Sequence, residues 1–234
     1  MTKPKGLVCW SSGKDSAWAL ETVRRCNNID IVGLLTTLTE GYERVSMHGV
    51  REEILDRQAA EAGLPCMKVR IPPGCVNADY EKAMALALAQ ARERGVRQVV
   101  FGDLYLEDVR RYREDRLRGS GIEPVFPLWG RETRDLAREM LAGGLRATVV
   151  CVDPRRLAPA FAGESWDARF LDALPPGVDP CGENGEFHTC VTAGPMFDRP
   201  LDVERGAVVS RDGFVFADLV CAAPGRAAAR SETA

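Results

Sequence analysis

Between Gly6 and Val152, short apolar runs alternate with amphipathic stretches of helix length, and this alternation limits the fold more than any other property of the chain. Gly6 to Trp10, Ile29 to Thr37, Cys66 to Ile71, Gln98 to Gly102, Pro124 to Pro127 and Arg146 to Val152 read as strands. Ser16 to Arg25, Val50 to Ala62, Asp79 to Arg94, Leu106 to Arg118 and Arg131 to Leu141 read as the helices between them, with Gly63 and Gly95 as stops. The β-branched run at Ile29 to Thr37 has the texture of a central parallel strand covered on both faces. About five or six such β-α units predict an α/β fold built on a doubly wound, mostly parallel sheet.

Beyond Pro154 the texture changes. Pro159, Gly163, Pro175-Pro176-Gly177, Pro180, Gly182, Gly185 and Gly194-Pro195 interrupt the chain too often for long helices. Glu186 to Thr192, Ala207 to Ser210 and Gly213 to Val220 read as short strands, with Arg211-Asp212-Gly213 as a hairpin turn. The expected organisation is an α/β domain over 1–154, a small β-rich C-terminal subdomain over 155–221, and a disordered Ala-, Arg- and Ser-rich tail over 222–234.

A charged fraction of 28% and a hydrophobic fraction of 45% are those of an ordinary globular protein. The net charge of -3 supplies no overall field to draw the chain onto nucleic acid or anionic lipid. No apolar run approaches the roughly eighteen residues of a membrane span, and the start of the chain leaves no room for the apolar core of a signal peptide, so a cytoplasmic protein is expected. The eight cysteines are scattered without a C-x-x-C pair and are expected as reduced thiols. With only His48 and His188 available, a three-histidine zinc site is excluded.

The segment Ser11-Ser12-Gly13-Lys14-Asp15-Ser16 falls between the first strand and the first helix, where helix N-H groups and the macrodipole favour an anion. Gly13 permits close backbone approach, Lys14 carries a point charge, and the hydroxyls of Ser11, Ser12 and Ser16 can donate to phosphate oxygens. Such a loop suits a polyphosphate. It is not a Walker A loop, because Val8 stands where that motif has its first Gly and Asp15 follows the Lys. The competing assignment is a surface turn with Asp15 or Ser16 capping the helix.

This segment resembles the PP-loop, S-G-G-K-D-S, of the N-type ATP pyrophosphatases in the adenine nucleotide alpha hydrolase-like (HUP) superfamily, with Ser12 in place of the first Gly. The resemblance implies ATP as substrate and cleavage between the α- and β-phosphates, with AMP or an adenylate and pyrophosphate released. It also implies Mg²⁺ on the triphosphate, with Asp15 as its protein ligand. Leu35-Thr36-Thr37 with Ser46-Met47-His48-Gly49-Val50-Arg51, then Phe101-Gly102-Asp103, then Asp179-Pro180-Cys181-Gly182-Glu183-Asn184-Gly185-Glu186-Phe187-His188-Thr189 extend the likeness to the diphthine ammonia ligase family. The last segment is similar to that family's C-G-E-G-G-E-Y-E-T signature, and Asn184, Phe187 and His188 replace its Gly, Tyr and Glu.

Glu183 and Glu186, beside Asn184 and His188, form an acid cluster able to bind an amine, orient ammonia or ligate a metal; as bare residues they also fit a β-turn with surface carboxylates. Asp103, after Phe101-Gly102 at a strand's carboxyl end, falls where open α/β sheets collect ligand-binding groups. Thr36 and Thr37 can meet adenine or ribose, or simply fill the strand; His48 can touch phosphate, or only begin a helix. Arg110-Arg111-Tyr112-Arg113 reads either as a solvated helix face or as a contact for phosphate or substrate.

The family resemblance implies an ATP-dependent, AMP-forming amide ligase: a carboxylate is adenylated and ammonia or an amine displaces AMP. Lys14, Asp103, Glu183 and Glu186 are the expected catalytic groups. Ser11 to Ser16, Thr36, Thr37, His48 and Gly102 are the expected nucleotide contacts, and Cys181, Gly182, Asn184, His188 and Thr189 the expected substrate contacts. The implied acid is diphthine on translation elongation factor 2, or a small-molecule acid, and a homodimer is a common arrangement for such folds. Two alternatives are a PP-loop tRNA-modifying enzyme, which the net charge and missing C-x-x-C disfavour, and a non-catalytic nucleotide-binding sensor.

Overall fold

A computed structural model describes residues 2–222. The expected disordered tail at 222–234 lies, apart from Ala222, outside the described residues. In the first of two sheets, β1 (Lys5–Cys9) lies between β2 (Asp30–Thr39) and β5 (Val96–Val100). β4 (Cys66–Ile71) pairs with β2 and β6 (Glu123–Val125) with β5, every one of these pairs being parallel. The short β3 (Arg44–Val45) adds antiparallel to the end of β2.

Neighbouring residues of each strand point to opposite faces, and both faces are covered. Val8, Leu34 and Val100 enter a core shared with α1 (Lys14–Cys26) and α2 (Glu52–Glu61). Leu7, Leu35 and Val99 enter a second core with Ala87 and Ala91 of α3 (Asn77–Glu93) and Leu117 of α4 (Glu107–Leu117). Doubly wound α/β architecture follows directly.

The second sheet is antiparallel: β7 (Arg146–Val152) pairs with β8 (Ser165–Trp166), β9 (Phe187–Ala193) and β11 (Phe214–Cys221), and β10 (Val203–Arg211) pairs with β11. Arg146 to Val152, expected as a further strand of the parallel series, therefore belongs to the β-rich part. Its burial on both faces looks the same in sequence whichever sheet it joins, and only its partners decide. At the expected hairpin Arg211 faces Phe214, and Asp212 (φ 51°) with Gly213 (φ 82°) supply the two left-handed residues that a tight two-residue turn needs.

The two sheets are not separate bodies. α1 packs on both β1 and β9, and α2 on both β3 and β11. Val149, Trp166, Cys190, Val191 and Val215 of the antiparallel sheet share one buried core with α1 and α2. The loop before β9 is thereby laid over the carboxyl ends of the parallel strands. No helix among the described residues is long and apolar enough to cross a membrane.

Candidate functional site

The loop between β1 and α1 opens into a cleft of about 320 Å³, whose walls include Ser11, Asp15, Thr37, His48, Asp103 and Glu183. Gly13 is the N-cap of α1 and offers no side chain to cap it, so the first helical turn faces the cleft through its backbone. An added Cβ at Gly13 would lie 2.8 Å from His48 Cε1, so any other residue there would push the imidazole aside. Ser12 takes a left-handed φ of 69°, the conformation for which the PP-loop pattern carries Gly. It is wholly buried, and its Oγ has no partner. Its carbonyl accepts from Val191 N at 2.9 Å and from Gln58 Nε2 at 3.1 Å. Gln58, absent from the sequence-based site, also accepts from Trp10 Nε1 at 3.0 Å and so ties the loop to α2 and β9. Ser16 Oγ donates to Gly13 O at 3.0 Å and lies 3.2 Å from Ser11 Oγ, which closes the loop on itself.

Lys14 is only 2% exposed. Its Nζ donates to Asp15 Oδ2 at 2.9 Å and to the Cys181 carbonyl, and its backbone N-H donates to Thr189 Oγ1 at 3.2 Å. Burial works against the ammonium, but the charges of Asp15 and Glu183 outweigh it and hold the group above the ordinary lysine value. On Asp15, burial and then Asp179 push the carboxyl up against the pull of Lys14, and Oδ1 is buried without a partner.

Glu183 lies in the cleft. Its Oε1 accepts from Leu104 N at 2.8 Å, and burial raises its carboxyl to about 7 against that bond, with Asp15 adding to the rise. Glu186, three residues on, does not line the cleft. It is 3% exposed, and its Oε1 accepts from Asp179 N at 3.2 Å and Asn184 Nδ2 at 3.0 Å. Asp179, which the sequence reading left without a role, accepts from Cys181 N at 2.8 Å, Glu183 N at 3.2 Å and Thr133 Oγ1 at 2.7 Å. Asp179 and Glu186 shape the loop that presents Glu183. Gly182 (φ 69°) has no room for a Cβ, which would sit 2.7 Å from Phe187 O. The Cys181 side chain is buried and its thiol is pushed up by burial, leaving its carbonyl as the group offered to Lys14.

The remaining expected residues divide. Thr37 lines the cleft, whereas Thr36 does not: its hydroxyl donates to Trp10 O at 2.8 Å and pins β2 to the end of β1. Asn184 is exposed and serves Glu186. Gly102 lies so close to α1 that a Cβ would sit 2.7 Å from the Asp15 carbonyl carbon. Asp103 is bound by Arg113 through Nε at 2.7 Å and Nη2 at 3.3 Å, so it positions a guanidinium rather than standing as a free base. The basic run thus splits: Arg113 turns into the cleft, while Arg110 stacks on Phe126 and Trp129 at 4.9 and 4.7 Å. His48 and His188, far apart in sequence, meet with ring centroids 4.5 Å apart. All eight cysteines are free thiols, and no group of three or more His, Cys, Asp or Glu able to hold a metal occurs among the described residues.

A family model described as the diphthamide synthase N-terminal domain matches residues 4–124, and one described as the diphthamide synthase C-terminal domain matches residues 132–216. Diphthine--ammonia ligase of Homo sapiens is 30% identical over 122 residues, 48% of this chain and 44% of that protein. The Mus musculus protein of that name is 26% identical over 189 residues, 76% of this chain and 69% of its own length. In Danio rerio the figure is 25% over 232 residues, 91% of this chain and 90% of the relative. The matches to the human and bovine proteins span less than half of those relatives' own length. Two family models that meet on either side of one cleft, one carrying the loop at 11–16 and the other the acid loop, place this chain in the diphthamide synthase family.

Proposed function

We propose that the chain is an ATP-dependent, AMP-forming amide ligase that adenylates a carboxylate and transfers ammonia or an amine to it. One observation carries this reading: the phosphate loop and the 179–189 loop close on one cleft through the buried Lys14, with Glu183 at its wall. The loop backbone, the Ser11 and Ser16 hydroxyls and Lys14 would take the β- and γ-phosphates, leaving the α-phosphorus toward Gly102 and Glu183. The acid's carboxylate would attack that phosphorus, with Arg113, held by Asp103, as the cation for its charge. Glu183, half ionised near neutral pH, would then take a proton from the incoming nitrogen as it displaces AMP.

The orphaned Asp15 Oδ1 fits one ligand position of a Mg²⁺ ion whose other oxygens come from phosphate and water, and Mg²⁺ so placed would neutralise triphosphate charge. The names of the relatives point to diphthine as the acid and ammonia as the nitrogen donor, with a free small-molecule acid as the other possibility.

The test is ATP turnover with candidate acids and ammonium, products separated by chromatography. Pyrophosphate release that requires the acid, and sustained AMP release that requires ammonium as well, are expected; ADP as product would overturn the reading.

A further inference from the structure

The chain's two histidines come from distant positions, one on the loop after β3 and one on β9, and meet inside the cleft. Their rings lie 4.5 Å apart at 36°. His48 rests against the phosphate loop, with Cε1 2.8 Å from where a Gly13 Cβ would be. Its Nδ1 lies 3.2 Å from the Thr189 carbonyl, an oxygen that can only accept, so Nδ1 carries the proton and the neutral ring turns a bare Nε2 toward other partners. His188 stands where the diphthine ammonia ligase signature has Glu, which exchanges a fixed anion for a group able to gain a positive charge.

We propose that the adjoining His48–His188 pair is an anion subsite that grips the terminal phosphate of the nucleotide, and afterwards the released pyrophosphate, and takes up a proton as it does so. This rests on the nucleotide-cleaving reading of the cleft and extends it to two residues outside the phosphate loop. Tilted rings with centroids 4.5 Å apart do not both readily carry charge. Burial first, then His188, then Lys14 hold His48 well below the ordinary histidine value, and burial and Lys14 bring His188 to about 4. The charged and titratable groups around the pair are Lys14 and Asp15 at the start of α1, Glu183 on the opposite loop, Arg44 of β3 through the Gly49 carbonyl, and Cys151 of β7 in register with His188. A polyphosphate adds several negative charges beside the rings and so favours the protonated form, which turns Nε2 into a donor. Binding tightens as pH falls, because protons are taken up with the anion.

Titration calorimetry of the full chain with inorganic pyrophosphate, in buffers of differing ionisation enthalpy, tests this, with AMP as the control ligand. Wild type is expected to take up a proton beyond pyrophosphate's own titration. H48Q and H188Q should each weaken pyrophosphate by about tenfold and reduce the proton uptake, while AMP affinity stays within about twofold. H48N keeps a donor for the Thr189 carbonyl but cannot gain charge, and should weaken pyrophosphate as H48Q does; wild-type affinity in H48N would overturn the role of protonation. Unchanged pyrophosphate affinity and proton uptake in these variants would overturn the subsite, as would AMP and pyrophosphate weakening by the same factor. Wild type that binds neither pyrophosphate nor ATP would bring down the ligase reading as well, so the two failures are distinguishable.

Discussion

The loop at 11–16 and the loop at 179–189 face each other across the cleft but are held in shape by opposite means. The first relies on backbone: Gly13 leaves room for the His48 imidazole, Ser12 adopts a left-handed φ, and the Ser12 carbonyl is taken up by Val191 and Gln58. The second relies on acids turned inward, the half-buried Asp179 and the buried Glu186 accepting from its N-H groups and from Asn184 and Thr133. The backbone-shaped loop ties its Ser11, Gly13 and Lys14 N-H groups to nearby hydroxyls and leaves the rim of the cleft to Ser11, Asp15 and Ser16. An acid-shaped loop consumes most of its acids internally and frees only the one it presents, Glu183.

The sharpest way to break this contrast is to treat the two glutamates alike. Glu183→Gln keeps an oxygen for Leu104 N but loses the base, so AMP formation should fall by about 10²–10⁴-fold. In wild type the rate should decline as pH drops through about 7, where Glu183 is protonated, and the variant should lack that limb. Because folding raises this carboxyl above 4.5, its contribution to stability is full at acid pH and is lost as pH climbs through about 7. The variant should therefore melt no lower than wild type at pH 8; a lower melting point would make Glu183 a structural residue.

Glu186→Ala should do the reverse. Losing a buried acceptor of two hydrogen bonds should cost about 1–3 kcal/mol, read as a lower midpoint in urea, while whatever activity survives keeps the limb near 7. If that limb vanished, the division of labour between the two acids would be wrong.

The smallest effect belongs to the other loop. Ser12→Gly relieves a left-handed φ and removes a buried hydroxyl without a partner, so it should raise stability by about 1 kcal/mol in the same urea measurement. A loss of stability would show that the Ser12 hydroxyl is engaged.

Much of this was legible in the chain, for identifiable reasons. Alternating period and turn residues reported the strands and helices, and the Ser11 to Ser16 segment reported an anion site because its spacing and its strand-to-helix position are both local properties. Beyond local signals the reading was ambiguous. Arg146 to Val152 joined the other sheet, Thr36 and Thr37 parted company, and Asp103 proved to hold Arg113, a residue the sequence offered only as one of a basic run. Gln58 carried no signal and Asp179, though part of the family-like segment, none for its role, since an amide or acid that satisfies backbone groups leaves no period or spacing behind.

The sequence by itself determined the α/β architecture and the strand-to-helix turn at 11–16, because hydrophobic period and glycine placement act over a few residues. Only the tertiary structure decided which acid lines the cleft, because Glu183 and Glu186 are identical in type and differ in what buries them. It also decided that His48 and His188 meet, because side chains 140 positions apart become neighbours only when two sheets close on α1.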